Sequence, residues 1–270
     1  MRHDDTTTVA HRDKAVYYHN DVHGSQILAR ILGPHLAGRV LEVGAGAGYI
    51  TTELAERCSE VVAIEPTKEL HHTLITHTQA HTNVTVVNAI LSDYVRSRPS
   101  ESGSSGGTAA GAPGDLFDAV VYINVLEHIE HDGAELALAT SLLRPGGRVL
   151  IVVPAHQWLY AKVDRLTGHF RRYSKKSLRT VTRDNDLHIE SMRYFDSVGL
   201  VPYLVIYKWL GSTATTGTNA TIYSRVIMPI SYLIYRVFRG RLIGKNLIAV
   251  AATTNNELPV VLSNDESLGR

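Results

Sequence analysis

Three glycines at alternate positions follow a short apolar run near the start of the chain. In the segment LEVGAGAGYITTEL, residues 41–54, Gly44, Gly46 and Gly48 stand between a strand-like run and a helix-like pattern. Such a turn exposes backbone N–H groups and the positive end of the helix dipole, where a carboxylate or a phosphate can bind. Glu65 ends the next apolar run, where doubly wound folds place a carboxylate against ribose hydroxyls. Together these residues indicate a ligand that contains a nucleoside.

The spacing of the glycines disfavours a dinucleotide. The fingerprint G-x-G-x-x-G needs its third glycine where this chain has Tyr49. Glu42 precedes the turn by two residues, and its carboxylate would repel a pyrophosphate but attract an ammonium or a sulfonium. A dinucleotide-dependent oxidoreductase is therefore the disfavoured alternative, and absence of NAD binding would exclude it.

A polar segment at residues 154–178 follows the fifth strand-like run. Its candidate site residues are His156, Asp164, His169, Arg171, Arg172 and Tyr173. The two arginines could clamp an anionic substrate, and His169 or Tyr173 could move a proton; His156 faces the same edge as a further catalytic candidate. The alternative is a salt-bridged loop in which Asp164 pairs with Arg171 or Arg172 and closes one wall of a pocket.

Other polar residues give weaker signals. Glu127-His128 follows the fourth apolar run, so His128 is either a catalytic base or substrate ligand, or part of a structural brace. Tyr18 on a leader helix is a candidate substrate contact. The histidine-rich residues 71–81 lack a fixed carboxylate or thiol partner, so we expect a surface helix there and no metal site.

Apolar runs rich in β-branched residues alternate with helical patterns, which indicates βα units and a parallel sheet covered on both faces. The predicted strands end at Gly44, Glu65, Ala89, Asn124 and Pro154. Two further strands are predicted at residues 188–195 and 245–253. The predicted fold class is therefore α/β.

Composition bounds the organisation and the partners. The predicted parts are a leader helix and cap at 1–36, a core at 37–195 with a flexible low-complexity insertion at 97–115, a helical cap at 196–244, a final strand at 245–254 and a frayed tail at 255–270. A net charge of +1 gives no general attraction to nucleic acid. The single cysteine, Cys58, and the lack of an apolar run of about 20 residues predict a cytoplasmic protein without stable membrane insertion. Its partner is expected to be a small molecule, and the oligomeric state is not predicted.

The ordered motifs resemble those of the class I S-adenosylmethionine-dependent methyltransferases. The first motif, E-x-G-x-G-x-G, matches residues 42–48, and the strings IEP, FDAVVYINVLEHIEHD and LLRPGGRVLIVVPAH continue the resemblance over residues 38–195. Residues 154–173 resemble the P-A-x-x-x-L-Y-x-x-x-D-x-x-x-G-H-x-R-R-Y signature of a bacterial subgroup, much of which acts on small metabolites.

The resemblance implies a Rossmann-like, seven-stranded sheet with helices on both faces and a helical cap, and S-adenosylmethionine as cofactor. It implies that the methionine portion is held by Glu42, Gly44, Ala45, Gly46 and Gly48, and that Glu65 accepts both ribose hydroxyls. It also implies that the adenine and the other side of the cofactor are bordered by Ala89, Ile90, Asn124, Val125 and Leu126. The family often has an aspartate near position 89, which this chain lacks. Relatives of diverse chemistry carry the NVLEH-like string, which favours the structural brace for His128.

The expected reaction is N- or O-methylation of a small, partly apolar specialised metabolite, as in antibiotic biosynthesis. The alternative is methylation of a lipid or quinone, with residues 226–241 resting on a membrane surface. Arg236, Arg239 and Arg241 beside that apolar run fit such docking. A binding protein that has lost the chemistry is a third possibility, which the intact polar segment disfavours.

Overall fold

The computed structural model describes residues 22–98, 116–213 and 222–254. The predicted contact at Tyr18, most of the insertion at 97–115 and the tail at 255–270 lie outside these residues.

Seven strands form one sheet in the order β3-β2-β1-β4-β5-β7-β6. The strands are β1 (Arg39–Val43), β2 (Glu60–Ile64), β3 (Val84–Val87), β4 (Phe117–Ile123), β5 (Leu143–Pro154), β6 (Leu187–Phe195) and β7 (Asn246–Thr253). β7 is antiparallel to β5 and β6, and the other pairs are parallel. The predicted α/β fold class with a seven-stranded, Rossmann-like sheet is confirmed.

Helices cover both faces of this sheet. The α-helices in the described residues are α1 (Val22–Leu32), α2 (Tyr49–Ala55), α3 (Lys68–Thr78), α4 (Leu91–Ser97), α5 (Asp132–Ser141), α6 (Lys162–Leu166), α7 (Lys175–Arg183), α8 (Leu200–Tyr203) and α9 (Met228–Phe238). Short 3₁₀ turns occupy Gly33–His35, Leu126–His128 and Gln157–Leu159. Leu204–Trp209 and Tyr223–Ile227 are π-helical. None of the described helices is both long and apolar enough to cross a bilayer.

Two hydrophobic cores result from the alternation of side chains along each strand. In β1, Leu41 and Val43 pack into the core that also contains residues of α5 and α7, whereas Val40 packs into the core with α1 and α2. Because successive side chains point to opposite faces, a strand buried on both faces must be apolar at almost every position. This explains the continuous apolar runs in the sequence.

The parallel strands direct their carboxyl ends to one edge of the sheet. The chain runs from β1 outward to β2 and β3, then returns to β4 on the other side of β1. Open α/β sheets bind ligands at such a reversal of strand order. The loops that follow β1, β2, β4 and β5 therefore form the candidate site.

A buried carboxylate ties the segment after β6 to the sheet. Asp196 is 1% exposed and accepts hydrogen bonds from the backbone N–H of Gly199 at 3.0 Å and from Ser231 Oγ at 2.7 Å. The hydroxyl of Tyr223 also donates to it, and Lys245 Nζ lies 3.3 Å from its Oδ2. These four contacts join helical residues of the 197–238 region to the chain just before β7.

We expect Asp196→Asn to lower the free energy of unfolding by about 3–5 kcal/mol, because the change leaves the Lys245 ammonium buried without its counter-charge. Urea denaturation measures the change. Asp186→Asn is the matched control, since Asp186 is exposed and has a similar left-handed φ of 57°, which Asn also tolerates. Equal stability of the two variants would contradict a structural role for the Asp196 ion pair.

Candidate active site

The turn after β1 has a left-handed backbone at each of its glycines. The φ angles are 69° at Gly44, 59° at Gly46 and 90° at Gly48. At Gly44 a Cβ atom would lie 2.6 Å from Cγ2 of Val125, in the segment after β4. Glycine is therefore required both by the backbone conformation and by the close approach of a neighbouring loop.

Glu65 is fixed at the end of β2 by two backbone donors. Its Oε2 accepts a hydrogen bond from the N–H of Gly46 at 2.9 Å, and its Oε1 accepts one from the N–H of Thr67 at 2.8 Å. Asn88 Nδ2 donates to the backbone oxygen of Glu65 at 2.7 Å. A carboxylate has about four lone-pair sites, so two acceptor sites remain for a pair of hydroxyls. These open acceptor sites fit the two hydroxyls of a ribose.

Glu42 lies in β1, two residues before Gly44, and is 3% exposed. Burial raises the pKa of its carboxyl to about 8, the Glu65 charge adds to the increase, and the hydrogen bond from Thr51 Oγ1, 2.7 Å long, opposes it. Thr51 is not among the site residues predicted from the sequence, although a threonine in the first turn of the helix after the glycines is a usable signal. A cation bound beside Glu42 would favour the ionised carboxylate.

The residues predicted to border the cofactor differ in what they offer. Ile90 is 51% exposed at the start of α4, and Ala89 beside it is half-buried. Asn124 has a left-handed φ of 53°, and Val125 packs against the glycine turn. Leu126 is fully buried in the core, so its side chain faces away from the site and only its backbone can border a ligand.

Asp164 is the centre of a buried polar cluster. Its Oδ1 accepts a hydrogen bond from Arg172 Nε at 2.9 Å and lies 2.8 Å from Arg172 Nη2 and 2.9 Å from His169 Nδ1. Its Oδ2 accepts from the hydroxyl of Tyr203 at 2.7 Å, and Arg172 also stacks over the Tyr203 ring. Burial alone would raise the pKa of Asp164, but the His169 hydrogen bond and the Arg172 charge outweigh it and lower the pKa.

The contacts of Asp164 support the salt-bridged alternative for this loop. Arg172 is 7% exposed and committed to Asp164, which is at odds with its use as a substrate clamp. His169 is 8% exposed and hydrogen-bonded to the same carboxylate, which gives it a structural role. Tyr203 was missed in the sequence because it lies 39 residues from Asp164 and no local pattern links them.

Arg171 and Tyr173 share a second carboxylate. Arg171 Nη1 lies 2.8 Å from Asp132 Oδ1, and the hydroxyl of Tyr173 donates to Asp132 Oδ2 at 2.7 Å. Tyr173 is 2% exposed, and burial together with Asp132 raises its pKa well above the usual value. Arg171 and Tyr173 therefore both have a carboxylate partner within the protein.

His128 braces the turn after β4 against the loop at residues 168–173. Its Nδ1 lies 3.3 Å from the backbone oxygen of Gly168, and its ring meets that of His169 edge-on at 4.5 Å. The Phe170 N–H donates to the backbone oxygen of Glu127 at 2.8 Å. These contacts match the brace predicted as the alternative for His128. Glu127, His128 and His169 also offer one possible metal-ligand atom each within 4.8 Å of one another, a grouping that the sequence analysis did not foresee.

His156 has a different environment from the other histidines of this site. It follows β5 with a left-handed φ of 65°, and its ring stacks on Tyr194 with centroids 4.9 Å apart. Burial lowers its pKa, the Arg172 charge lowers it further, and a hydrogen bond to the Gly244 backbone opposes these effects. Its Nε2 is buried and has no hydrogen-bond partner within the described part of the chain.

Two aromatic rings, those of Tyr194 and Trp158, lie beside His156 at the carboxyl end of β5. The ring of Trp158 lies 5.5 Å from that of His156 and is 53% exposed. Phe170, on the loop that returns to β5, is 50% exposed. The loops at this end of β5 therefore carry two exposed aromatic rings, and that of Trp158 lies beside the imidazole of His156.

Comparison with known proteins gives matches over most of the chain. The family model described as "Methyltransferase domain" matches residues 18–192. A curated relative, the ubiquinone biosynthesis O-methyltransferase of Xanthomonas campestris pv. campestris (strain B100), is 30% identical over 176 residues, which cover 61% of this chain and 67% of that protein.

Solved structures share the fold. The 1,6-didemethyltoxoflavin-N1-methyltransferase of Burkholderia thailandensis, with bound 1,6-didemethyltoxoflavin and S-adenosylhomocysteine, aligns with a TM-score of 0.55 at 20% identity and covers 93% of this chain and 86% of its own. The N-methyltransferase NodS of Bradyrhizobium japonicum WM9, in complex with S-adenosylhomocysteine, aligns with a TM-score of 0.54 at 13% identity and covers 93% and 100%. At these identities the similarity is one of fold.

The raised pKa of Glu42 predicts a pH-dependent stability. The folded state holds the extra proton between the ordinary value of 4.5 and about 8. The free energy of unfolding of the wild type should therefore fall relative to Glu42→Gln as the pH rises through this window, by up to about 1.4 kcal/mol per pH unit. Urea denaturation at pH 5, 6.5 and 8 measures the difference.

The exposed Glu69 provides the control for this measurement. Glu69→Gln should track the wild type at all three pH values. If Glu42→Gln also tracks the wild type, Glu42 titrates normally and the burial argument fails.

Proposed function

This chain belongs to the methyltransferase-domain family, and we propose that it transfers a methyl group from S-adenosylmethionine to a nitrogen or oxygen atom of a small, partly apolar acceptor. Its family and seven-stranded fold are those of the class I S-adenosylmethionine-dependent methyltransferases. The observation that carries the acceptor proposal is the exposed aromatic surface beside His156, at the edge of the sheet that also holds the glycine turn.

The residues of the glycine turn fit this cofactor. The two open acceptor sites of Glu65 would bind the ribose hydroxyls, and the exposed side chain of Ile90 would border the adenine. Glu42 would face the cationic methionine portion, which favours its ionised form. When bound, S-adenosylmethionine supplies an electrophilic methyl group on a sulfonium. The protein then has to place a lone pair in line with that methyl, and such positioning can contribute about 7–11 kcal/mol to lowering the barrier.

The surroundings of β5 favour an acceptor with a flat, apolar body. Trp158 and Phe170 expose about half of their surfaces at the place where β5 ends. Small-molecule sites are mostly apolar with a few polar anchors, and aromatic rings stack well on flat ligands. The curated relatives named ubiquinone biosynthesis O-methyltransferase support oxygen as the methylated atom.

His156 is our candidate for the general base. Its lowered pKa keeps the imidazole neutral at pH 7, and its buried Nε2 has no partner among the described groups. It could accept a proton from an acceptor hydroxyl once a movement of the ring or its neighbours opens this atom to the acceptor. In other enzymes a positioned base typically raises the rate by roughly 10²–10⁴-fold. Arg171, Arg172 and Tyr173 would hold the loop that carries this part of the site.

Methylation of a lipid or quinone at a membrane surface is the second candidate. It is favoured by the name of the curated relatives and differs from the first candidate in the length of the apolar part of the acceptor. A panel of phenols, catechols and aryl amines, each with and without a prenyl tail, separates the two. Mass spectrometry measures the formation of S-adenosylhomocysteine with each acceptor and so identifies the acceptors that are methylated.

We expect Glu65→Ala to weaken the binding of S-adenosylmethionine and S-adenosylhomocysteine by at least about tenfold, because one hydrogen bond to a charged group contributes about 1.5–3 kcal/mol. Calorimetric titration measures both affinities. The exposed Glu69 gives the control Glu69→Ala, which should bind as the wild type does. Binding of NAD in place of either ligand would overturn the cofactor assignment.

If His156 is the base, we expect His156→Asn to lower kcat by about 10²-fold or more on a phenol that the wild type methylates. Asn suits the left-handed backbone at this position. The wild-type rate should rise with pH and reach half its maximum below pH 6.5, because the pKa of His156 is lowered. Exposed His188 gives the control His188→Asn, and a kcat unchanged in His156→Asn would remove His156 from the chemistry.

A further inference from the structure

The helical segment at residues 222–238 is anchored to the protein by one face only. Met228 and Ser231 on its inner face are buried, and Tyr232 and Tyr235 pack against the core that contains α1. The hydrogen bond from Ser231 to Asp196 fixes the same face. The inner face of this segment is therefore fully used in packing.

The outer face of the segment is also apolar. Five aliphatic residues, three or four positions apart, form what we call the apolar stripe: Ile222, Val226, Ile230, Leu233 and Val237. Each is between 45% and 66% exposed. A surface helix of a globular protein normally carries charged or polar residues on its outward face. A continuous apolar stripe in this position marks an interaction surface.

The preceding helical segment repeats this arrangement. Val201, Val205 and Trp209 lie four residues apart and are 63%, 38% and 75% exposed. Leu210, next to Trp209, is 74% exposed. A tryptophan with this exposure beside an apolar run is typical of groups that lie at a membrane–water interface.

The charge of this region is one-sided. Between residues 197 and 254 the sequence has six basic side chains and no Asp or Glu, although the whole chain carries a net charge of only +1. The basic residues are Lys208, Arg225, Arg236, Arg239, Arg241 and Lys245. Lys245 pairs with Asp196, and the other five are exposed. The arginines therefore flank the apolar stripe without any carboxylate of the same region to neutralise them.

We propose that the apolar stripe docks on the surface of a membrane that contains anionic lipids. The aliphatic side chains would enter the boundary between headgroups and acyl chains, and the flanking arginines would contact the lipid phosphates. In this mode of attachment the helix lies along the membrane surface. The inference holds for any acceptor, because it rests on the surface of residues 222–238 and not on the site of methyl transfer.

A second copy of the chain is a poorer occupant of the stripe. In a twofold dimer the same surface meets itself, so the arginine-flanked stripes would face each other. With no acidic residue between 197 and 254, the approaching arginines would have no partners from this region. An anionic lipid surface supplies the missing negative charge, which is why we favour it.

Cosedimentation of the full chain with vesicles tests the proposal. Vesicles of phosphatidylcholine that contain roughly 30–40% phosphatidylglycerol should bind the wild type. Vesicles of pure phosphatidylcholine should bind it at least about tenfold more weakly. The double variant Ile230→Glu/Leu233→Glu should lose most of the binding. Ile75→Glu is the matched control, because Ile75 is an apolar side chain on α3 that is 44% exposed.

A second pair of variants tests the charge. Arg225→Gln/Arg236→Gln should reduce binding to the anionic vesicles by about tenfold or more, since each basic residue near the surface contributes roughly fivefold. Circular dichroism verifies that each variant is folded. The vesicle assay needs neither cofactor nor acceptor, so its result is independent of the proposed methyl transfer.

Two outcomes would overturn the proposal. The first is equal vesicle binding by Ile230→Glu/Leu233→Glu and Ile75→Glu, because the stripe would then play no part. The second is a lack of vesicle binding by the wild type. If, in that case, sedimentation velocity shows a dimer that the double variant dissociates, the occupant of the stripe is a second copy of the chain.

Discussion

The parallel pairing of β1 with both β2 and β4 is the constraint on which the site depends. It places the ends of these strands side by side. The glycine turn, Glu65 and the segment after β4 therefore meet, although Gly44 and Asn124 are 80 residues apart in the sequence. The turn can approach Val125 closely only because Gly44 has no Cβ. Cofactor binding by this chain is thus a property of the sheet edge as a whole.

Three buried carboxylates perform different tasks, and their partners decide which. Glu42 has one neutral donor, so burial dominates and its pKa rises to about 8. A cation bound beside it would favour its ionised form. Asp164 has an arginine, a histidine and a tyrosine, which lower its pKa and make it the centre of a rigid loop. Asp196 has a lysine and neutral donors and fixes the helices after β6. Asp164 and Asp196 thus have charged partners within the protein, whereas the hydrogen bond to Glu42 comes from a neutral threonine.

The segment at residues 156–173 shows how structure separates these roles. Its arginines and Tyr173 bind carboxylates of the protein itself, which leaves His156 and the exposed faces of Trp158 and Phe170 toward the sheet edge. Rigid support of a few available groups is a common way to hold an acceptor in line with a methyl donor. The apolar stripe on residues 222–238 lies on another element, so acceptor chemistry and surface attachment can vary independently.

The sequence by itself determined the strands, the class of fold and the glycine turn with its two glutamates, because these depend on local periodicity and on conformations that only glycine adopts easily. It could also state both alternatives for the loop with Asp164. Only the tertiary structure decided between them, since Asp132 and Tyr203, the partners that engage Tyr173 and Asp164, lie 41 and 39 residues away. Whether a buried polar side chain faces a ligand or another side chain depends on contacts between distant segments, and no local pattern encodes such contacts.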